Sequence, residues 1–213
     1  EREISPPPSE RGAGGVVAVN ITIEVTPDAE VQLIFDEKVG DIIKGRGNGN
    51  LKMTVSNSGD FSMFGVFIIE EGEYLFTLEN IINKRFNIER GGSIRWNGNP
   101  YDANINLNAV YPLKASLHGL TLDSADRRRV PVECELQMTG KLLTPEIGFD
   151  IKLPKADEGT RSSVNSLITT EQQMNKQIFS LLILGSFQPA SSFDAGGGVG
   201  ANTSEVLSNQ LSN

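Results

Sequence analysis

The sequence predicts a mainly β protein built on one long antiparallel sheet, with an amphipathic helix near its C-terminal end. Three observations predict it. From Val16 to Leu153 apolar and polar residues alternate almost without interruption. The breaks in that alternation are short and rich in Gly, Asn and Ser, which favours neighbouring strands running antiparallel. After Pro154 the period changes to that of a helix. Strict alternation means one dry face and one wet face. A dry face this long must be covered, whether by closing into a barrel, by pairing with a second sheet or by curling over on itself.

Taken in order, residues 1–15 form a lead-in, "EREISPPPSERGAGG", whose prolines and glycines suit a linker. The sheet is expected over 16–154, with roughly ten strands. "VNITIEVT" puts Ile21, Ile23 and Val25 on one face, and "VQLIF" does the same with Val31, Leu33 and Phe35. "GRGNGN" sets Gly45, Gly47 and Gly49 at alternate positions, which places bare backbone on one face and suits a bend or the close approach of another chain. Leu51, Met53 and Val55 follow, then a turn at Asn57–Ser58–Gly59. A second turn is expected at Glu71–Gly72, before Tyr74, Phe76 and Leu78. Gly91–Gly92 lies between two alternating arms, which is hairpin chemistry. "ANINLNAVY" alternates Ile105, Leu107, Ala109 and Tyr111 with Asn104, Asn106 and Asn108. "VECELQM" supplies Val132, Cys134, Leu136 and Met138, and "EIGFDIKL" supplies Ile147, Phe149, Ile151 and Leu153.

Residues 155–170 read as a polar connector and 171–185 as a helix. Thr170 and Gln173 have capping-box spacing, Met174, Ile178, Leu181 and Leu182 form an apolar stripe, and Gly185 is a stop. Such a helix either caps the dry face or docks on a partner. Residues 186–213 read as a glycine-rich linker and the start of a second helix that the sequence cuts short.

Composition narrows the function. A formal charge of −8 and a single cysteine, Cys134, argue against nucleic acid and against a disulfide framework or multi-cysteine zinc site. No stretch reaches the roughly 18–20 apolar residues that span a bilayer; "IFSLLILGSF" is the longest apolar cluster near the end. No signal peptide opens the chain, so targeting and anchoring parts are expected to lie outside it. Catalytic material is sparse. The single histidine, His118, has Ser116 and Asp123 nearby but no nucleophile elbow, and reads as a strand-end residue. "EEGE" (Glu70 to Glu73) reads as a charged hairpin turn in preference to a metal site. "GRGNGN" lacks the Lys-Ser/Thr ending and the following helix of a phosphate loop. Arg127, Arg128 and Arg129 suit a solvated loop, with contact to lipid headgroups as the alternative. No cofactor is expected, and the chain is read as a non-enzyme.

Three stretches carry a family likeness: "KGRGNGNLKMTVSNSGDFSMFG", "EEGEYLFTLENIINKRFNIERGGSIRWNGNPYDANINLNAVY" and "VPVECELQMTGKLLTPEIGFDIKLP". They resemble the C-terminal domain of the TamB family, in the form found in Bacteroidetes-type envelopes. The run from Phe86 to Tyr111 is the most specific part. The downstream pattern of Gly140, Leu142, Pro145, Ile147, Phe149, Ile151, Leu153 and Pro154 fits as well. The resemblance implies a periplasmic protein of a diderm bacterium, working near the outer membrane, whose parent is anchored in the inner membrane. It implies an elongated, strongly curved sheet, a β-taco whose hydrophobic groove carries phospholipid acyl chains, and a BamA-like outer-membrane barrel partner, TamA. It also implies a part in outer-membrane protein assembly.

On that basis the groove is expected to be lined by Phe86, Ile88, Ile94, Trp96, Ile105, Leu107, Ala109, Leu136, Met138, Ile147, Phe149 and Ile151. Met174, Ile178, Leu181 and Leu182 are the expected partner-contact helix. The alternative is a chaperone or scaffold that binds outer-membrane strands or the barrel partner without carrying lipid. A self-packed structural solenoid is a third reading.

Overall fold

A computed structural model describes residues 19–36, 41–78, 82–121 and 124–189. The lead-in, Asp123, and the linker and second helix expected beyond 189 lie outside the described residues. Among the described residues nine strands form one sheet in which every pairing is antiparallel: β1 (Val19–Val25), β2 (Glu30–Asp36), β3 (Asp41–Val55), β4 (Phe61–Leu78), β5 (Ile82–Ile88), β6 (Ser93–Gly98), β7 (Asn104–Ser116), β8 (Arg129–Lys141) and β9 (Thr144–Lys152). The path is β1-β3-β4-β5-β7-β8-β9, with β2 also on β3, and β6 between β4 and β7. Among the described residues there are three α-helices, α1 (His118–Thr121) between β7 and β8, and α2 (Glu158–Leu167) and α3 (Glu171–Leu184) after β9.

Two expected turns are not turns. β4 runs unbroken through Glu71–Gly72. Its inward residues change parity there, from Phe67 and Ile69 to Tyr74 and Phe76, because Arg46 pairs with Glu71 and Gly47 with Ile69, leaving Glu70 as an extra residue. That is a β-bulge, and a bulge flips the alternation much as a turn resets it. Gly91–Gly92 is likewise no hairpin. β5 and β6 both run antiparallel to β4 and are collinear, and residues 89–92 loop out between them. Gly91 sits at φ +97°, its N–H donates to Ile69 O at 2.9 Å, and Ile69 N–H donates to Gly92 O at 2.7 Å. The turn at Asn57–Gly59 does form, closed by Gly59 N–H to Ser56 O at 3.0 Å.

These irregularities line up. The break between β1 and β2, the Arg46/Gly47 shift, Glu70 and the 89–92 loop lie on one line across the strands. Bulges bend and twist the strands that carry them, so the line is a crease. The bulged Glu70 carboxylate accepts from Asn48 Nδ2 at 2.6 Å and lies 3.5 Å from Arg90 Nη2, linking β3, β4 and the loop on the outside. The alternate glycines serve the crease from within: a Cβ on Gly47 would stand 1.9 Å from Ile68 O.

The sheet is strongly curved. β4 and β9 are four strand spacings apart on the path, roughly 19 Å if flat at about 4.8 Å each. Yet the Phe76 and Phe149 rings meet edge to face at 5.9 Å between centroids. Phe149 also meets Phe179 of α3 at 5.9 Å, and Phe76 meets Phe86 at 6.0 Å. The dry face has curled over and closed on its own aromatics, with α3 laid into the opening.

The stretch expected as a connector contains α2. Asp157 caps it, accepting from Thr160 N at 3.0 Å, and that bond holds the Asp157 carboxyl below the usual carboxylate range. Val164 is its one buried residue, which is why no apolar stripe announced the helix. α3 has the expected capping box, Thr170 with Gln173, and ends at Gly185 in the left-handed region, φ +66°. The chain then turns back along α3: Gln177 Nε2 donates to Gln188 O at 2.8 Å and Ser180 Oγ to Ser186 O at 2.7 Å.

Candidate functional site: an apolar groove

In an antiparallel ladder, directly paired residues point to the same face. The register therefore builds the dry face row by row. One row runs Gly72, Ile88, Ala109, Leu136, Phe149; another runs Leu107, Met138, Ile147; a third runs Phe67, Ile94, Ile105. Every residue expected to line a groove falls on this face. Phe86, Ile88, Ile94, Trp96, Ile105, Leu107, Ala109, Leu136, Met138 and Ile151 are buried, and Ile147 and Phe149 are half-buried against them. They meet one another and their neighbours. Gly92 shows how tightly: a Cβ there would stand 3.0 Å from Leu107 Cβ. The opposite face carries the asparagines 104, 106 and 108, all exposed.

The sequence reading passed over several residues of the same surface. Ile43, Phe67 and Ile69 are buried on it. The parity change at Glu70 hid their continuity with Tyr74 and Phe76; two inward registers in one strand were the available signal.

The helix stripe is turned inward. Ile178, Leu181 and Leu182 are buried and Met174 packs against the same cluster, with α3 lying over β9 and β5. Its exposed apolar residues are Ile183 and Leu184, at the C-terminal end. A partner contact through Met174, Ile178, Leu181 and Leu182 therefore requires the helix to leave this seat.

The dry face is not covered everywhere. Val19, Ile21 and Ile23 of β1 pair with Val55, Met53 and Leu51, so they point the same way as the core. They are 50%, 44% and 38% exposed. Phe61, paired with Val55, is exposed beside them, and Met63, paired with Met53, is half-buried. The apolar surface is thus packed from β5 to β9 and open at the β1 end.

The remaining candidates are quiet. Ser116 Oγ donates to the Asp126 carbonyl at 2.7 Å and accepts from His118 N–H at 3.3 Å, so the hydroxyl is held by backbone. Among the described residues no group of three or more His, Cys, Asp or Glu is placed to hold a metal ion, and no helix is long and apolar enough to cross a membrane. Burial pushes the Cys134 thiol up to about 12, which suits packing and opposes thiolate chemistry.

The profile of the TamB C-terminal domain matches residues 3–213. No curated protein matches the chain.

Proposed function

The chain belongs to the TamB C-terminal domain family, a non-catalytic transport and assembly module of diderm envelope biogenesis, and from that premise we propose that its dry face conducts phospholipid acyl chains. The parent protein, in this reading, spans the periplasm from an inner-membrane anchor, delivers phospholipid between the two membranes and supports outer-membrane protein assembly beside a TamA-like barrel. The observation that carries it is the open end of the dry face: Val19, Ile21, Ile23 and Phe61 exposed on a surface continuous with the packed core. Water is a poor cover for such a patch. An acyl chain gains about 0.8 kcal/mol per buried CH₂ and asks for no specific polar contact, so the path needs no catalytic group.

The groove residues from β5 to β9 are proposed as the continuation of that path, reached when the aromatic closure and α3 give way. The test is a charge on each face of β1. Ile21→Asp should block lipid delivery to the outer membrane, while Thr22→Asp should leave it intact. Equal effects at the two positions would defeat the proposal.

A second reading has its own support. Among the described residues β1 is hydrogen-bonded to β3 alone, so its other edge offers N–H and C=O groups to an incoming strand. A scaffold that binds outer-membrane strands would use that edge, and would capture polypeptide where the first reading captures lipid.

A further inference from the structure

The wet face carries an apolar stripe that the core does not need. On β4, Phe64, Val66 and Ile68 point away from the dry face, and Phe64 and Ile68 are 42% and 41% exposed. The register sets a polar column along each side of them. On β3, Lys52, Asn50 and Asn48 stand opposite Phe64, Val66 and Ile68 in turn. On β6, Asn97, Arg95 and Ser93 stand opposite the same three. Asn104 and Asn106 of β7 extend the last two rows. Side chains directly opposite one another lie about 5 Å apart. Successive side chains on one face of a strand are about 7 Å apart, so the stripe is roughly 14 Å long and one side chain wide.

The edges of the stripe are chemically specific. Asparagine is depleted in strands, because its amide competes with the backbone for hydrogen bonds. A face that meets only water is better filled with threonine. Here asparagines at 48, 50, 97, 104 and 106 gather on three strands around one stripe. Asn48 donates to Glu70 Oε1 at 2.6 Å. Asn50, Asn97, Asn104 and Asn106 have no side-chain hydrogen bond among the described residues, and a free amide both donates and accepts. Lys52 and Arg95 form no ion pair among the described residues, on a chain whose formal charge is −8. They flank the stripe from opposite sides, one row apart.

We propose that this stripe binds a short run of a glycan chain that carries acidic groups, about three sugar rings over its length. A sugar ring has C–H groups on its faces and hydroxyls around its edge. Laid along β4, the rings cover Phe64, Val66 and Ile68, their hydroxyls exchange hydrogen bonds with Asn50 and Asn97, and their acidic substituents meet Lys52 and Arg95. A lipid tail would cover the stripe and leave the amides unused. A neutral glycan would leave the cations unused. The carboxylates of an acidic peptide only accept, whereas the asparagine carbonyl oxygens need donors, and hydroxyls do both. The site lies on the face opposite the proposed lipid path and does not rest on that reading.

Three probes separate the contributions. Tetragalacturonic acid has rings and charge, maltotetraose has rings alone, and tetraglutamate has charge alone. Saturation-transfer NMR detects contact and calorimetry gives the affinity. Tetragalacturonic acid should bind about tenfold more tightly than either of the others at low salt, and its margin over maltotetraose should close as added salt screens the charges. Phe64→Thr removes the ring and keeps a strand-favouring residue; it should weaken binding about fivefold and leave the circular dichroism spectrum unchanged. Lys52→Gln combined with Arg95→Gln should erase the margin over maltotetraose. Silence from tetragalacturonic acid, equal binding of tetraglutamate, or an unchanged affinity in Phe64→Thr overturns the site. Ile21→Asp, the variant that tests the lipid path, should leave binding of the sugar probe unchanged, and Phe64→Thr should leave lipid delivery unchanged, so the two readings fail separately.

Discussion

Gly47→Ala should damage this protein far more than a single methyl group suggests. The Cβ it adds would lie 1.9 Å from Ile68 O, 2.9 Å from Ile68 C and 3.1 Å from Glu70 N. A relaxed carbon–oxygen contact needs about 3.3 Å, so β3 and β4 must separate by more than about 1 Å at the crease. The obstacle is backbone, which has no rotamer to escape into. Overpacking of this kind costs roughly 1–3 kcal/mol, and weakening a ladder hydrogen bond beside it adds about 1 kcal/mol. A loss of about 2–4 kcal/mol is expected. The control is Gly148→Ala on β9, whose added Cβ would meet nothing closer than Gln137 Cβ at 4.0 Å. That change should be neutral, or stabilise by up to about 1 kcal/mol through the unfolded chain. Urea unfolding followed by circular dichroism reads both, with the slope checked for a common two-state transition. If Gly47→Ala falls within about 0.5 kcal/mol of the parent, or Gly148→Ala is equally damaging, the glycines do not serve close approach and the crease argument fails.

Other expectations follow from the same geometry. Cys134, wholly inside the sheet, should resist thiol reagents at pH 8 and react quickly in urea. Burial pushes its thiol up to about 12 from an ordinary 9.0, so its contribution to stability is full below about pH 9 and is lost as pH rises toward 12; a melting temperature independent of pH across that window in a comparison with Cys134→Ala would contradict this. Thr170→Ala removes the α3 capping box and should cost about 1 kcal/mol, with Thr170→Ser restoring most of it. Leu107→Asp strands a carboxylate in the core and should cost several kcal/mol, whereas Asn106→Asp on the wet face should stay within about 0.5 kcal/mol. Paired denaturation curves check this, and the asymmetry explains why a charge at Leu107 is a test of folding, while Ile21 is the better place to test transport.

Period-two alternation made the sheet legible, and the capping box and Gly185 made α3 legible, because each depends on residues close in sequence. Which residues share the dry face was also readable, strand by strand. The crease was not. Glu70 and the 89–92 loop look locally like turns, and only their pairing with the same neighbours shows them to be bulges. α2 escaped because a helix held by the Asp157 cap and one buried valine has no stripe. The closure of Phe76 on Phe149 depends on residues 73 positions apart and leaves no local mark. The open end at β1 reads in the sequence like any other strand; burial alone tells it from the packed remainder.

The most direct measurement places a photo-crosslinking residue at Ile21, with Thr22 and Leu107 as companions, in the protein at work in a diderm envelope. The account predicts phospholipid adducts at Ile21, none at Thr22, and fewer at Leu107 than at Ile21, because Leu107 is reached only when the closed part of the groove opens. Absence of lipid at Ile21, or equal lipid at Ile21 and Thr22, would contradict the lipid path; outer-membrane polypeptide trapped at Ile21 in its place would establish the strand-binding scaffold.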